Sequence, residues 1–557
     1  MEPGGRRRQQ QQQRRLQELR REAAQYYQDH RVPQRMEEAL NALFPQRPAD
    51  LYGELANYFS KFSKAPVICK LVGRKVLDGV GQPTLEVEIY CTVKNYEKRI
   101  CSTVMSSHSQ IPENALPETT EADEKERNDS VNTAVEWVNE SLNMMLRGLK
   151  PTDQCKVDKI LGEYFTKKVE EKKEVQNQEE EEEEEATLAL TSCTPSATSL
   201  PGKKKSAKPG KKVAVAERPI PPAEPAESVL RGSVAIGGTS LAVAKAGAAV
   251  SHIPLYLHIA LLKCDQDSLK EMTLPLPMVT LLNCEKISPA KLRLVKEVML
   301  IPPVQLSLKQ PSSQVADSKK GRARNTGKKA PLKGKYEILT GTFKSPDEMV
   351  DMYVELINKF PFIIALIDPL RKEDRQQWSN ICCALGSKCY LIAEDAATYI
   401  SKLKTDQNIN VPMCSGVVLK YINETKVSDL IELTGLLDGQ RHITILGSPD
   451  GESSDDSLVD LAVGLGARFI KLGGLSRGER VTKYNRLLAI EEELAKNRTL
   501  REANLEFIAF AEESQPEKQL SDVLPPPKQD SLPPQLSQPA LQVHSLPAQH
   551  ADLGHPN

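Results

Sequence analysis

Two lysines stand where a side chain can do chemistry. Lys471 closes the short apolar run from Phe469 to Leu472, ahead of Gly473-Gly474, and Lys420 closes Val417-Val418-Leu419. An ammonium at the C-terminal end of a strand, just before a turn, lies where an α/β barrel keeps its reactive groups. As a cation it can hold a carboxylate. It can also take a proton, once neighbouring positive charge depresses its pKa enough to leave part of it neutral.

A parallel sheet must bring the two lysines together, and the sequence supplies one. Helices predicted over 347–359, 371–385, 396–403, 427–437 and 456–465 alternate with strands predicted over 362–367, 389–393, 416–420, 442–446 and 469–472. Such βα alternation implies a parallel sheet with both faces covered. Earlier in the chain Leu85, Val87 and Ile89 alternate with Glu86, Glu88 and Tyr90, the period-two pattern of a half-buried strand. Helices are predicted over 132–149 and 154–169, and the small residues of 235–249 suit a helix made for close packing.

The 557 residues are enough for two or three domains, and a net charge of −1 gives no global pull toward nucleic acid. Charge is local instead. The segment 170–227 carries the acidic run Glu179–Glu185 and the basic clusters Lys203–Lys205 and Lys211-Lys212 among Pro, Ser and Thr, the composition of a disordered linker. The eleven cysteines are scattered without metal-site spacing and read as reduced thiols of a cytoplasmic protein. The N-terminus is Arg/Gln-rich rather than a signal peptide, and no apolar run is long enough to span a membrane.

The stretch Arg468–Glu493 resembles the enolase signature that runs from the last catalytic barrel strand into the closing helix. Arg477, Glu479, Arg480, Lys483, Tyr484, Asn485, Leu487, Leu488 and Ile490 stand as they do in that family. Asp78-Gly79-Val80-Gly81-Gln82-Pro83 looks like its first motif, with Val80 in place of the usual arginine. The resemblance implies an α/β fold: an enolase-type α+β capping domain over 65–169, completed with the first barrel strand by 228–303, then a TIM-like barrel over 334–514. It also implies a lyase that dehydrates 2-phosphoglycerate to phosphoenolpyruvate in glycolysis, with Mg2+ as cofactor. That chemistry needs concentrated positive charge on the developing dianion and a base that is neutral at working pH; a lysine base with Mg2+ is the pattern of this superfamily.

Carried over residue by residue, the resemblance makes Lys420 the proton acceptor, with Asn423 near the family's asparagine, and Lys471 the holder of the substrate carboxylate. Glu297 becomes a catalytic and substrate-binding glutamate, and Glu394 and Ser109 become metal ligands. Several partners are missing. Ile367 stands where a metal-binding glutamate belongs, and Gly447-Ser448-Pro449-Asp450 replaces the Ser-His-Arg-Ser that grips phosphate. The glycines of the mobile loop are gone from Val104–Gln110. A basic stretch over 304–333, expected to be disordered, replaces one or more barrel units, so the barrel is expected to be truncated. Two readings follow: an enolase, alone or paired with another enolase, and a catalytically impaired enolase-fold scaffold.

Residues 1–64 read as a helical segment. Met36, Leu40, Leu43 and Phe44, then Leu51, Leu55, Tyr58, Phe59 and Phe62, repeat at helical spacing. The pattern resembles the dimerization/docking domain of the protein kinase A regulatory subunit and the Dpy-30 family. It implies a homodimer, a groove for an A-kinase anchoring protein helix, and a cytoskeletal or sperm-flagellar address. Residues 515–557 read as a Pro-rich disordered tail.

Overall fold

The computed structural model describes residues 3–106, 117–191, 230–264, 271–283, 297–302, 335–339, 342–394, 404–405, 408–409, 411–421, 424–449 and 452–501. The basic stretch 304–333, most of the linker, Ser109 and the C-terminal tail lie outside them.

Three helices open the chain: Pro3–Asp29, Val32–Leu43 and Leu51–Ser60. Pro33 starts the second within its first turn, and Asp50 caps the third by accepting a hydrogen bond from the Gly53 N–H at 2.8 Å. The helical spacing of the sequence is therefore realised. Leu43 of that pattern is buried and Leu55, Tyr58 and Phe59 are half-buried, but Met36, Leu40, Phe44, Leu51 and Phe62 are left 44, 50, 72, 43 and 50 % exposed.

An antiparallel meander follows, with β1 (Val67–Leu77), β2 (Pro83–Val93) and β3 (Tyr96–Val104) in that order. Leu85, Val87, Ile89 and Cys91 point into the core, as the alternation requires. They pack against the helix Val234–Val250, which is buried along nearly its whole length. That helix approaches the sheet closely because of its small residues. A Cβ on Gly238 would lie 3.1 Å from Met105 Cγ and 3.2 Å from a Val87 methyl.

The helix expected over 132–149 is longer at its start, beginning at Pro117 and passing through a π-helical turn at Val138–Leu142 into Asn143–Leu146. The helix that begins at Gln154 does not stop at Val169 but runs to Thr191, into the segment taken as linker. Glu and Lys are strong helix formers, and the Lys168–Glu171 pair at 2.8 Å ties adjacent turns. Composition that forbids a buried core does not forbid a solvated helix.

Short pairings join β4 (Met272–Thr273) to β16 (Leu500–Arg501), β7 (Tyr336–Leu339) to β8 (Thr342–Lys344), and β11 (Lys404–Thr405) to β12 (Asn408–Ile409). The main sheet uses β5 (Leu276–Asn283), β6 (Glu297–Leu300), β9 (Ala365–Ile367), β10 (Tyr390–Ala393), β13 (Gly416–Lys420), β14 (Ile443–Gly447) and β15 (Phe469–Gly473). Its order is β6-β5-β15-β14-β13-β10-β9; β6 is antiparallel to β5 and the remaining neighbours are parallel. The result is a curled half-barrel, with β6 and β9 at its two edges among the described residues.

Strand parity divides the sheet into two faces. Leu276, Met278, Tyr390, Ile392, Val418, Ile445 and Phe469 form one apolar cluster on the inner face. Leu391, Ala393, Val417, Leu419, Leu446, Ile470 and Leu472, one position away in each strand, join the larger core under the helices. Burying each large side chain contributes about 1.5–3 kcal/mol, so a one-residue slip of any strand is strongly disfavoured. The register of the inner face is thereby fixed, and with it the position of whatever caps that face.

Candidate active site at the strand ends

Counting by twos along the inner face leads to charge. Phe469 is followed by Lys471, Val418 by Lys420, Tyr390 and Ile392 by Glu394, and Leu276 and Met278 by Thr280. Lys420 is in register with Gly447, and Gly447 with Lys471, so the two lysines flank a residue without a side chain. A Cβ on Gly447 would come within 2.8 Å of a Val418 methyl and 3.8 Å of Lys420 Cγ.

The Glu394 carboxylate lies between the lysines. One oxygen is 2.7 Å from Lys471 Nζ and the other 3.3 Å from Lys420 Nζ. Glu297 reaches Lys471 from β6 at 3.3 Å, and its other oxygen accepts the Thr280 hydroxyl. Asp368 follows Ile367 in a left-handed conformation, φ +46°. From there its carboxylate accepts the Glu394 backbone N–H at 2.9 Å, which fixes the end of β10. Burial works against the charge on Lys471, but Glu394 and Glu297 outweigh it and hold this lysine above its ordinary value. Lys471 therefore stays an ammonium, suited to holding an anion rather than taking a proton.

The structure thus assembles Lys420, Lys471, Glu297 and Glu394, four residues drawn from separate strands. It leaves Ser109, Asn423 and Asp450 undescribed. Ile367 packs on the inner apolar cluster, where it offers no donor. Among the described residues no three His, Cys, Asp or Glu side chains converge as a metal site, and the Glu394 carboxylate is committed to two ammonium groups. Hard cations need several oxygen ligands. The described residues therefore do not fit a Mg2+ site.

A second ionic cluster, which sequence reasoning missed, joins the capping domain to the half-barrel. Glu452 accepts from Arg480 Nε at 2.8 Å and pairs with Lys483 at 3.4 Å, with Glu452 and Lys483 side chains each 2 % exposed. Lys483 also donates to the Ser453 and Glu479 carbonyls at 2.7 and 3.0 Å. Asp455 accepts from Lys245 at 3.0 Å, the Thr103 hydroxyl at 2.8 Å and the Val104 N–H at 3.1 Å. Gly79 of the first motif donates its N–H to the Glu452 carbonyl at 2.7 Å, and a Cβ there would strike that oxygen at 2.8 Å. The signal in the sequence was the acidic run Glu452–Asp456 between two apolar segments, which reads as a surface loop until Lys483 and Lys245 are placed opposite it.

A capping α+β domain on a βα half-barrel with lysines and glutamates at the strand ends defines a class, and comparison with known proteins gives the family. Residues 68–173 match the model "Enolase, N-terminal domain" and residues 304–506 match "Enolase, C-terminal TIM barrel domain". The chain is 47% identical to Enolase 4 of Homo sapiens, over 86% of this chain and 89% of that protein. It is 44% identical to Enolase 4 of Xenopus laevis, over 87% and 93%. Cytosolic enolase 3 of Arabidopsis thaliana is 24% identical over 84% and 96%. The chain belongs to the enolase family. Members of that family generally use Mg2+ and are typically dimers.

Proposed function

We propose that the protein retains the proton-transfer half of enolase chemistry and dehydrates 2-phospho-D-glycerate to phosphoenolpyruvate, in glycolysis, more slowly than a fully equipped enolase. The observation that supports this is the convergence of Lys420, Lys471, Glu394 and Glu297 at the strand ends. Lys471 holds the substrate carboxylate, Lys420 takes the C2 proton, and the electron pair left at C2 forms the double bond as the C3–O bond breaks and the hydroxyl departs to solvent, with Glu297 lining the opposite side. The lost phosphate grip and metal ligands account for the slow rate, since removing a single electrostatic stabiliser commonly costs about 10²–10³ in rate. Absorbance of phosphoenolpyruvate formed by the purified chain, with Mg2+ supplied, is the test. Slow turnover that vanishes in Lys420→Ala supports the reading; no turnover at all favours the scaffold reading.

The exposed apolar residues of the N-terminal helices favour anchoring as a second role. Met36, Leu40, Phe44 and Leu51 make a stripe that two short helices cannot close on themselves. A second copy would bury them in a four-helix unit whose surface offers a shallow groove for an amphipathic helix of an A-kinase anchoring protein. A cytoplasmic protein held in this way would sit at a cytoskeletal or flagellar structure. Sedimentation of the full chain with and without Leu40→Asp, and binding of an anchoring helix to each, checks both steps. An unchanged mass and unchanged binding would remove the anchoring role.

A further inference from the structure

The geometry points to Glu394 as an internal carboxylate that occupies the two-lysine clamp until the carboxylate of a small organic acid displaces it. This rests on the reading that Lys471 and Lys420 face the substrate, but not on turnover. Four observations carry it. Glu394 spans the clamp with one oxygen per lysine, at 2.7 and 3.3 Å, as a bound carboxylate would. Its backbone is pinned by Asp368 through the N–H, whereas its carboxylate has only the two ammonium groups as partners among the described residues. The side chains of the clamp keep access to solvent, with Lys420 23 %, Lys471 19 % and Glu394 11 % exposed, so an entering anion can reach them.

The fourth observation is charge. In the resting site, with Lys420 protonated and paired to Glu394, Lys420 and Lys471 against Glu394 and Glu297 sum to zero; withdrawing Glu394 leaves one positive charge, the complement of one carboxylate, and Lys420 then has to give up its proton before it can serve as the base. Exchanging one carboxylate for another keeps the lysine clamp itself neutral, whereas a ligand that added its carboxylate beside Glu394 would leave net negative charge in a half-buried place. The residue that resemblance assigns to a metal thus spends its carboxylate on the lysines, and its longer side chain, relative to an aspartate, provides the reach.

Binding of 2-phosphoglycerate to the full chain, measured by calorimetry with chelator and no added metal, tests this. Glu394→Gln keeps the shape and removes the competing charge. It should tighten binding by about tenfold, the equivalent of about 1.4 kcal/mol. Glu394→Asp, which retracts the carboxylate by one methylene, should give a smaller gain and serves if the glutamine variant folds poorly. The gain should disappear when Lys471→Ala is added to Glu394→Gln. Equal or weaker binding in both Glu394 variants, or no binding by any variant, overturns the inference. Turnover by the unaltered chain together with weaker binding in Glu394→Gln would sink this inference alone. Tighter binding without turnover would sink the dehydration reading and leave the inference standing.

Discussion

The molecule contains two clusters of lysines and carboxylates, one at the strand ends and one at the junction of capping domain and half-barrel, and they are built differently. At the junction the central pair, Glu452 and Lys483, is only 2 % exposed, and backbone groups help to satisfy Lys483 and Asp455. Lys483 donates to two carbonyls besides Glu452, and Asp455 accepts the Val104 and Ser457 N–H groups as well as Lys245. At the strand ends Lys420, Lys471 and Glu394 have only one another and Glu297 among the described residues, and solvent reaches them. A charge whose partners include the backbone is locked to the fold. A charge whose partners are other mobile side chains can trade them for a ligand.

The largest expected effect breaks the strand-end cluster without touching the fold. Lys420→Ala should lower residual 2-phosphoglycerate turnover by about 10²–10⁴, the usual contribution of a positioned base, while the thermal midpoint stays near that of the unaltered chain. Turnover that persists in this variant would remove Lys420 from the chemistry and leave the two clusters alike in function.

The junction should respond in the opposite way. Glu452→Ala strips Lys483 of its carboxylate in a place 2 % exposed, and removing one partner of a buried pair costs about 3–5 kcal/mol. Denaturant unfolding should show a loss of that size. Glu394→Gln, which keeps the side chain's shape at a site where Glu394, Lys471 and Lys420 are 11, 19 and 23 % exposed, should cost less than that. Comparable losses from the two substitutions would erase the distinction between locked and exchangeable charge.

A smaller effect sharpens the geometry. Gly447→Ala would place a methyl 2.8 Å from a Val418 side-chain carbon, between the two lysine strands. Overpacking of this kind costs about 1–3 kcal/mol. It should also weaken 2-phosphoglycerate binding by spreading Lys420 from Lys471. A variant of full stability and unchanged affinity would mean that the row tolerates a side chain and that the glycine does not set the lysine spacing.

How much of this was legible in the sequence depends on what each feature is made of. The half-barrel strands follow from periodicity and βα rhythm, because inner-face parity is a local property; Val418 and Lys420, or Phe469 and Lys471, announce their face two residues apart. The convergence of Lys420, Lys471 and Glu297 was foreseen through family resemblance, since nothing local places β6 on the same rim as β13. Glu394 was assigned to a metal because its position matched, but position does not say which partner a carboxylate will choose. That choice depends on lysines 26 and 77 residues away, and on what Ile367 no longer supplies. The junction cluster was invisible for a related reason. Glu452–Asp456 looks like a solvated loop by composition, and only tertiary packing buries Glu452 and Ser453 against the helix Gly478–Asn497 and brings Lys245 to Asp455.

The smallest effect concerns two neighbours at that junction with opposite signs. Burial pushes Asp455 upward, but Lys245 and the hydrogen bonds from Ser457 and Thr103 outweigh it and hold its carboxyl below the ordinary range. At Asp456 burial, and then the charges of Asp455 and Asp460, outweigh the pull of Lys245 and Arg486 and raise its carboxyl. A carboxyl depressed in the folded state contributes stability above its unfolded value, about 3.9, and that contribution is lost as pH falls through the folded value. A carboxyl raised in the folded state does the reverse: it costs stability at neutral pH, and the cost is relieved as pH falls through its folded value. Unfolding midpoints measured from pH 7 down to about pH 3 should therefore fall less steeply in Asp455→Asn than in the unaltered chain at the acid end. In Asp456→Asn they should start higher at pH 7 and fall more steeply. The two substitutions are adjacent and chemically identical, so parallel pH profiles would show that neither charge is coupled to folding, and that the junction is held by its apolar packing rather than by its ion pairs.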